Sequence, residues 1–76
     1  MTHEQIRKSL LEKDAEFKRL AEEHSRCESQ LEEIHEEPYV NADDLVQESV
    51  LKKLKLHLKD QMEMIVARYE HGLMQH

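Results

Sequence analysis

One cysteine, one glycine, one proline, three aromatic residues and no tryptophan are spread over a chain of 76 residues. A single cysteine cannot close an intrachain disulfide. With so little glycine and proline, the chain lacks the turn residues that a β fold needs at short intervals. No apolar run approaches the ~20 residues that cross a bilayer. The start, Met1-Thr2-His3-Glu4-Gln5, lacks the basic and then apolar order of a secretory signal. The expectation is one small domain, residues 1–76, in the cytoplasm with no transmembrane segment.

Charge is abundant. Charged residues make up 37 % of the chain and hydrophobic residues 38 %, with 17 acidic against 11 basic residues and a net charge of −6. The apolar content is too high and too periodic for disorder. The acidic balance disfavours a general nucleic-acid or anionic-membrane binder, because both surfaces repel it.

Apolar or small residues recur at Ile6, Leu10, Phe17, Leu20, Cys27, Leu31 and Ile34, and again at Leu51, Leu54, Leu58, Met62, Ile65, Tyr69 and Leu73. Steps of three and four place each set on one side of an α-helix. Thr2 and Gln5 have the spacing of a capping box. Pro38 cannot continue a helix and disfavours helical geometry at Glu37. Asn41 is a good N-cap, Asp43 and Asp44 suit the positive end of a helix dipole, and Gly72 reads as a stop. The chain is therefore expected to be all-α: helix 1 over about 3–36, a turn at 37–41 and helix 2 over about 42–71, folded back as an antiparallel, coiled-coil-like hairpin.

The first seam keeps a heptad, with Lys13 and His24 among its positions, whereas Leu51, Leu54 and Leu58 recur eleven residues later as Met62, Ile65 and Tyr69. The longer repeat relaxes supercoiling, which predicts a hairpin coiled near its turn and straighter or splayed at its open end. Between Glu22 and Glu37 the chain is acidic except for Arg26 among its charged residues, and Lys52, Lys53, Lys55 and Lys59 oppose that stretch. These charges are read as controlling register. The packing set expected to carry the fold is Phe17, Leu20, Leu31, Leu51, Leu54, Leu58 and Ile65. On that basis Leu54→Asp should cost more than ~3 kcal/mol by burying an unpaired charge.

Leu11, Val46, Val50, Leu56, Met64, Val66 and Met74 lie off the seams, and a hairpin has no second layer to cover them. The expectation is a homo-oligomer, most simply a two-fold dimer that makes a four-helix bundle.

Other constellations are weaker. His24 and Cys27 share a helical face and His57 could approach them, a set of zinc-ligating types; the duller reading puts them at ordinary seam and surface positions, with no metal and no cofactor. Glu32-x-x-His35 has the spacing of a di-iron bundle but occurs once where two are needed. The lysine segment could meet phosphates or acidic lipids, yet it has acidic neighbours and no aromatic platform, since the aromatics are Phe17, Tyr39 and Tyr69. His3, His71 and His76 are expected to meet at the open end, where protonation near pH 6 would loosen it. No nucleophile elbow or phosphate loop is present, and no catalytic residue is assigned.

The run Leu51-Lys52-Lys53-Leu54-Lys55-Leu56-His57-Leu58-Lys59-Asp60-Gln61-Met62 resembles the KKxKLxLKDxM segment of the YdcH-like proteins, small bacterial proteins that carry a domain of unknown function. Phe17-x-x-Leu20-x-x-x-His24, preceded by Asp14 and continued by Leu31, is a second match. Together they span about residues 14–66. Cys27 departs from the more usual Leu, and the turn around Pro38 is of variable type. The resemblance implies a helical hairpin in a bacterial cytosol and no established activity. Its recurrent positions fall on His24, Lys59 and Asp60, without a role attached. The functional expectation is a protein-interaction or structural module with an unidentified protein partner; the alternative is a nucleic-acid-binding or metal-binding accessory.

Overall fold

A computed structural model describes residues 2–38 and 41–72 with their side chains and 73–74 as backbone. Three helices, α1 His3–Lys13, α2 Ala15–Glu36 and α3 Ala42–Met74, account for nearly all of it, and no strand occurs among the described residues. The molecule is a rod with extents of 55 × 20 × 17 Å.

Local chemistry explains most boundaries. Thr2 and Gln5 form a reciprocal capping box: Gln5 N donates to Thr2 Oγ1 at 3.2 Å, and Thr2 N donates to Gln5 Oε1 at 2.9 Å. Asn41 and Asp44 repeat the device at the start of α3, where Asp44 N donates to Asn41 Oδ1 at 2.8 Å and Asn41 N donates to Asp44 Oδ2 at 3.4 Å. The residue before Pro38, Glu37, is extended at φ −68° and ψ 136°, and α2 stops there. Tyr39 and Val40 of the expected turn, the seam side chain of Leu73, that of Met74, and His76 lie outside the described residues.

Two boundaries differ from expectation. The single helix expected over 3–36 is broken at Asp14, which takes φ −112° and ψ 109° and ends α1 while it begins α2. Its amide donates to Leu10 O at 2.8 Å, and its carboxylate accepts from Phe17 N at 3.0 Å, so one residue closes one helix and caps the next. The break also releases Lys13, which an unbroken heptad would bring to the seam; it is exposed. At the other end, α3 continues through Gly72 to Met74 rather than stopping near 71. No described glycine has positive φ, so the left-handed cap that Gly72 suggested does not form.

One hydrophobic cluster runs the length of the rod: Ile6, Leu10, Phe17, Leu20, Cys27, Leu31 and Ile34 from α1 and α2 with Leu51, Leu58, Ile65 and Val66 from α3, edged by Met62 and Tyr69. Of the expected packing set, Phe17, Leu20, Leu31, Leu51, Leu58 and Ile65 lie in this cluster, but Leu54 is 43 % exposed. The reason is phase. Leu51, Leu58 and Ile65 are seven apart, and the positions four beyond them are Lys55, Met62 and Tyr69, all half-buried. A seven-residue seam, not an eleven-residue one, lies on the core side of α3, and Leu54 falls to one side of it. An aspartate at 54 would reach water, so the large cost expected for Leu54→Asp does not follow.

The open end is closed, not splayed. Ile6 and Leu10 are buried there, as are the adjacent residues Ile65 and Val66, the latter expected to lie off the seam. Two grooves mark where α1 meets α3: one is lined by Leu10, Asp14, Ile65 and Tyr69, the other by His3, Arg7, Val66 and Glu70. Late residues of α2 meet early residues of α3 in the ion pair His35–Glu48, and early residues of α1 meet late ones in Arg7–Glu63 and His3–Glu70.

Candidate functional site

An open cleft of about 430 Å³ lies between α2 and α3. His24, Glu28, Leu31, Glu32 and His35 line it from α2, one helical turn after another, and Lys52, Lys55, Leu56 and Lys59 line it from α3. Its polar groups are organised around two carboxylates. Glu28 Oε1 lies 3.2 Å from His24 Nδ1 and 3.6 Å from Lys55 Nζ. Glu48 Oε1 lies 2.7 Å from Lys52 Nζ and 3.6 Å from His35 Nε2. Each carboxylate is thus shared by a lysine and a histidine, and each ties α2 to α3.

The hydrogen bond from Lys52 holds the Glu48 carboxyl below the usual carboxylate range; desolvation, the next largest influence, opposes it, and the charge of Lys52 and the contact with His35 add to the lowering. All these groups are at least partly in water, where solvent screening keeps such pairs weak. Their chemistry is that of register: a slip of α3 by one turn moves Lys55 about 5.4 Å from Glu28.

The zinc candidates do not converge. Cys27 is buried as a small apolar residue in the core, His24 is turned to Glu28, and His57 is exposed and outside the cleft. Among the described residues no group of three His, Cys, Asp or Glu side chains is placed to hold a metal ion. Glu32 and His35 of the di-iron spacing both line the cleft, and His35 engages Glu48. The lysine segment divides: Lys52 and Lys55 are paired with acids, Lys59 lines the cleft without an ion pair to any described residue, and Lys53 lies outside it. At the far end His3 Nε2 lies 2.6 Å from Glu70 Oε1; the expected meeting of His3 and His71 with His76 falls outside the described residues.

Two residues that organise the structure were not singled out from sequence, although signals existed for both. Asp14 followed three positions later by Phe17 has N-cap spacing, masked by a heptad that runs through it. Glu48 and Lys52 have the i, i+4 order of a stabilising helix pair.

The model of the family described as "Protein of unknown function (DUF465)" matches residues 17–66. The match takes in α2 from Phe17 onward and α3 as far as Val66, leaving α1 outside, and the YdcH-like proteins belong to this family. No curated protein and no solved structure matches the chain. No helix among the described residues is long and apolar enough to cross a membrane.

Proposed function

The chain belongs to the DUF465 family of proteins of unknown function, and we propose that it works as a non-catalytic helix-packing module of the cytoplasm: an antiparallel, coiled-coil-like hairpin that associates with a second copy and offers helical surface to a protein partner. The observation that carries this reading is the distribution of apolar side chains on α3. Leu45, Val46, Val50, Leu54, Leu56 and Met64 are between 43 % and 65 % exposed on a helix whose opposite side fills the core. A helix that is apolar around most of its circumference is stable when more than one side is covered. Exposed apolar surface, where it is contiguous, marks interaction sites in soluble proteins.

The cleft supports the same reading rather than a binding site for polyanions. Two of its three lysines are already paired with Glu28 and Glu48, which leaves little uncompensated positive charge for phosphates.

Sedimentation velocity of the purified chain at tens of micromolar tests the proposal. A dimer, or a higher species built from dimers, is expected, with little change when salt is raised to 0.5 M, because apolar contacts are not screened. A folded monomer would overturn the self-association, and a salt-labile complex with nucleic acid would favour the accessory role.

A further inference from the structure

The exposed apolar residues of α3 are not scattered evenly. Val46, Val50 and Leu54 follow one another at steps of four, and the same face continues through His57, Gln61 and Met64, all exposed. These six positions lie within about a quarter-turn of one another on a face that flanks the core side, along about 27 Å of helix. Leu45 and Leu56, by contrast, lie on the other flank, eleven residues apart, with Lys52 and Ser49 between them.

Resting on the self-association proposed above, we infer that a second copy of this chain docks on the Val46–Met64 face of α3, antiparallel, with the two-fold axis at His57. Charge and apolar pattern select this register. With His57 on the axis, Val50 meets Met64 of the partner subunit, and the relation repeats by symmetry. Lys53 and Asp60 lie on the same flank of the face, and neither makes an ion pair among the described residues; the same register brings Lys53 beside Asp60 of the partner subunit, twice. An axis between Val50 and Leu54 would instead set Lys53 near Lys53 of the partner subunit and leave Met64 uncovered. A parallel pairing turns the Lys53–Asp60 flanks apart, because flanks of one kind meet only in antiparallel pairs. Like charges in contact are unfavourable by amounts similar to the gain from opposite ones.

The chain exposes 6040 Å², so a specific interface at its lower bound of ~1,200 Å² in all requires about a tenth of the surface of each copy.

The test is a set of variants followed by sedimentation equilibrium, with far-UV circular dichroism to confirm that each remains helical. Val50→Asp and Met64→Asp should each raise the dimer Kd by about 100-fold or more while helicity is retained, since both positions are exposed in the single chain. Leu56→Asp, 60 % exposed on the other flank, should leave Kd within about threefold. Lys53→Glu should weaken the dimer about 3- to 10-fold, and adding Asp60→Lys should restore it. A wild-type dimer that tolerates Val50→Asp and Met64→Asp, or that is broken by Leu56→Asp, overturns this interface while leaving self-association standing. A wild-type monomer overturns both. Charge swaps that fail to rescue, with the apolar variants behaving as expected, overturn the register.

Discussion

The two halves of α3 are similar in apolar content and opposite in what becomes of it. From Ala42 to Leu56, only Leu51 is buried, and Leu45, Val46, Val50, Leu54 and Leu56 remain largely in water. From His57 to Tyr69, Leu58, Ile65 and Val66 are buried and Met64 alone is a large exposed apolar residue. The difference lies in what faces each half. The first half packs against α2, which covers the narrow arc that one helix can cover. The second half still meets α2 at Lys59 and reaches α1 further on, in the Arg7–Glu63 ion pair, and there adjacent residues Ile65 and Val66, about 100° apart on the helix, are both buried. The first half leaves apolar side chains exposed.

The sharpest way to break this comparison is Phe17→Ala. Phe17 is 1 % exposed in the first turn of α2, next to the break. The expected loss is ~3–5 kcal/mol in urea denaturation at a fixed protein concentration; a loss below ~1 kcal/mol would show that the junction does not hold the closed half together. Leu58→Ala and Leu56→Ala compare neighbouring residues of one helix. The buried member, at 3 % exposure, should cost ~2–5 kcal/mol, and Leu56, at 60 %, within about 0.5. Equal effects in the same denaturation assay would abolish the distinction.

Asp14→Ala probes the break directly. Loss of the cap should destabilise by ~0.5–2 kcal/mol. Because alanine favours helix, mean residue ellipticity should hold steady or rise as stability falls. Destabilisation accompanied by loss of helix would indicate that Asp14 supports the fold in some other way. The smallest effect concerns pH. The folded value of Glu48 is lowered chiefly by the hydrogen bond from Lys52. Its stabilising contribution is therefore complete above the unfolded value and is lost as the pH falls from about 4.5 through the folded value. Carboxyl-carbon NMR should place the Glu48 midpoint below those of exposed glutamates, and Lys52→Ala should move it upward. An unmoved midpoint would remove Lys52 as the cause.

Much of the architecture was legible because its signals are local. Thr2 with Gln5, Asn41 with Asp44, and Pro38 mark helix ends through contacts three or four residues long, and periodicity identified Phe17, Leu20, Leu31, Leu51, Leu58 and Ile65 as one side of each helix. The cleft was half legible. Opposed acidic and basic stretches were evident, but the sharing of Glu28 by His24 and Lys55, and of Glu48 by His35 and Lys52, depends on which turn of α3 lies beside which turn of α2. Leu54 was misplaced because steps of three and four are equally helical, and only the phase of the facing helix decides which of them falls on the seam.

Composition and periodicity alone determined that this chain is helical, where its first and third helices begin, and that its apolar residues outnumber the places one seam provides. Those properties follow from dihedral preferences, capping groups and spacing along a single segment. Tertiary structure decided that Asp14 divides the first helical stretch, that Val66 is covered while Leu54 is not, and that Gly72 does not end α3. The covering of Val66 and the exposure of Leu54 depend on the direction from which another helix approaches. That direction is set by the summed packing of the whole cluster, a quantity that no stretch of sequence carries by itself.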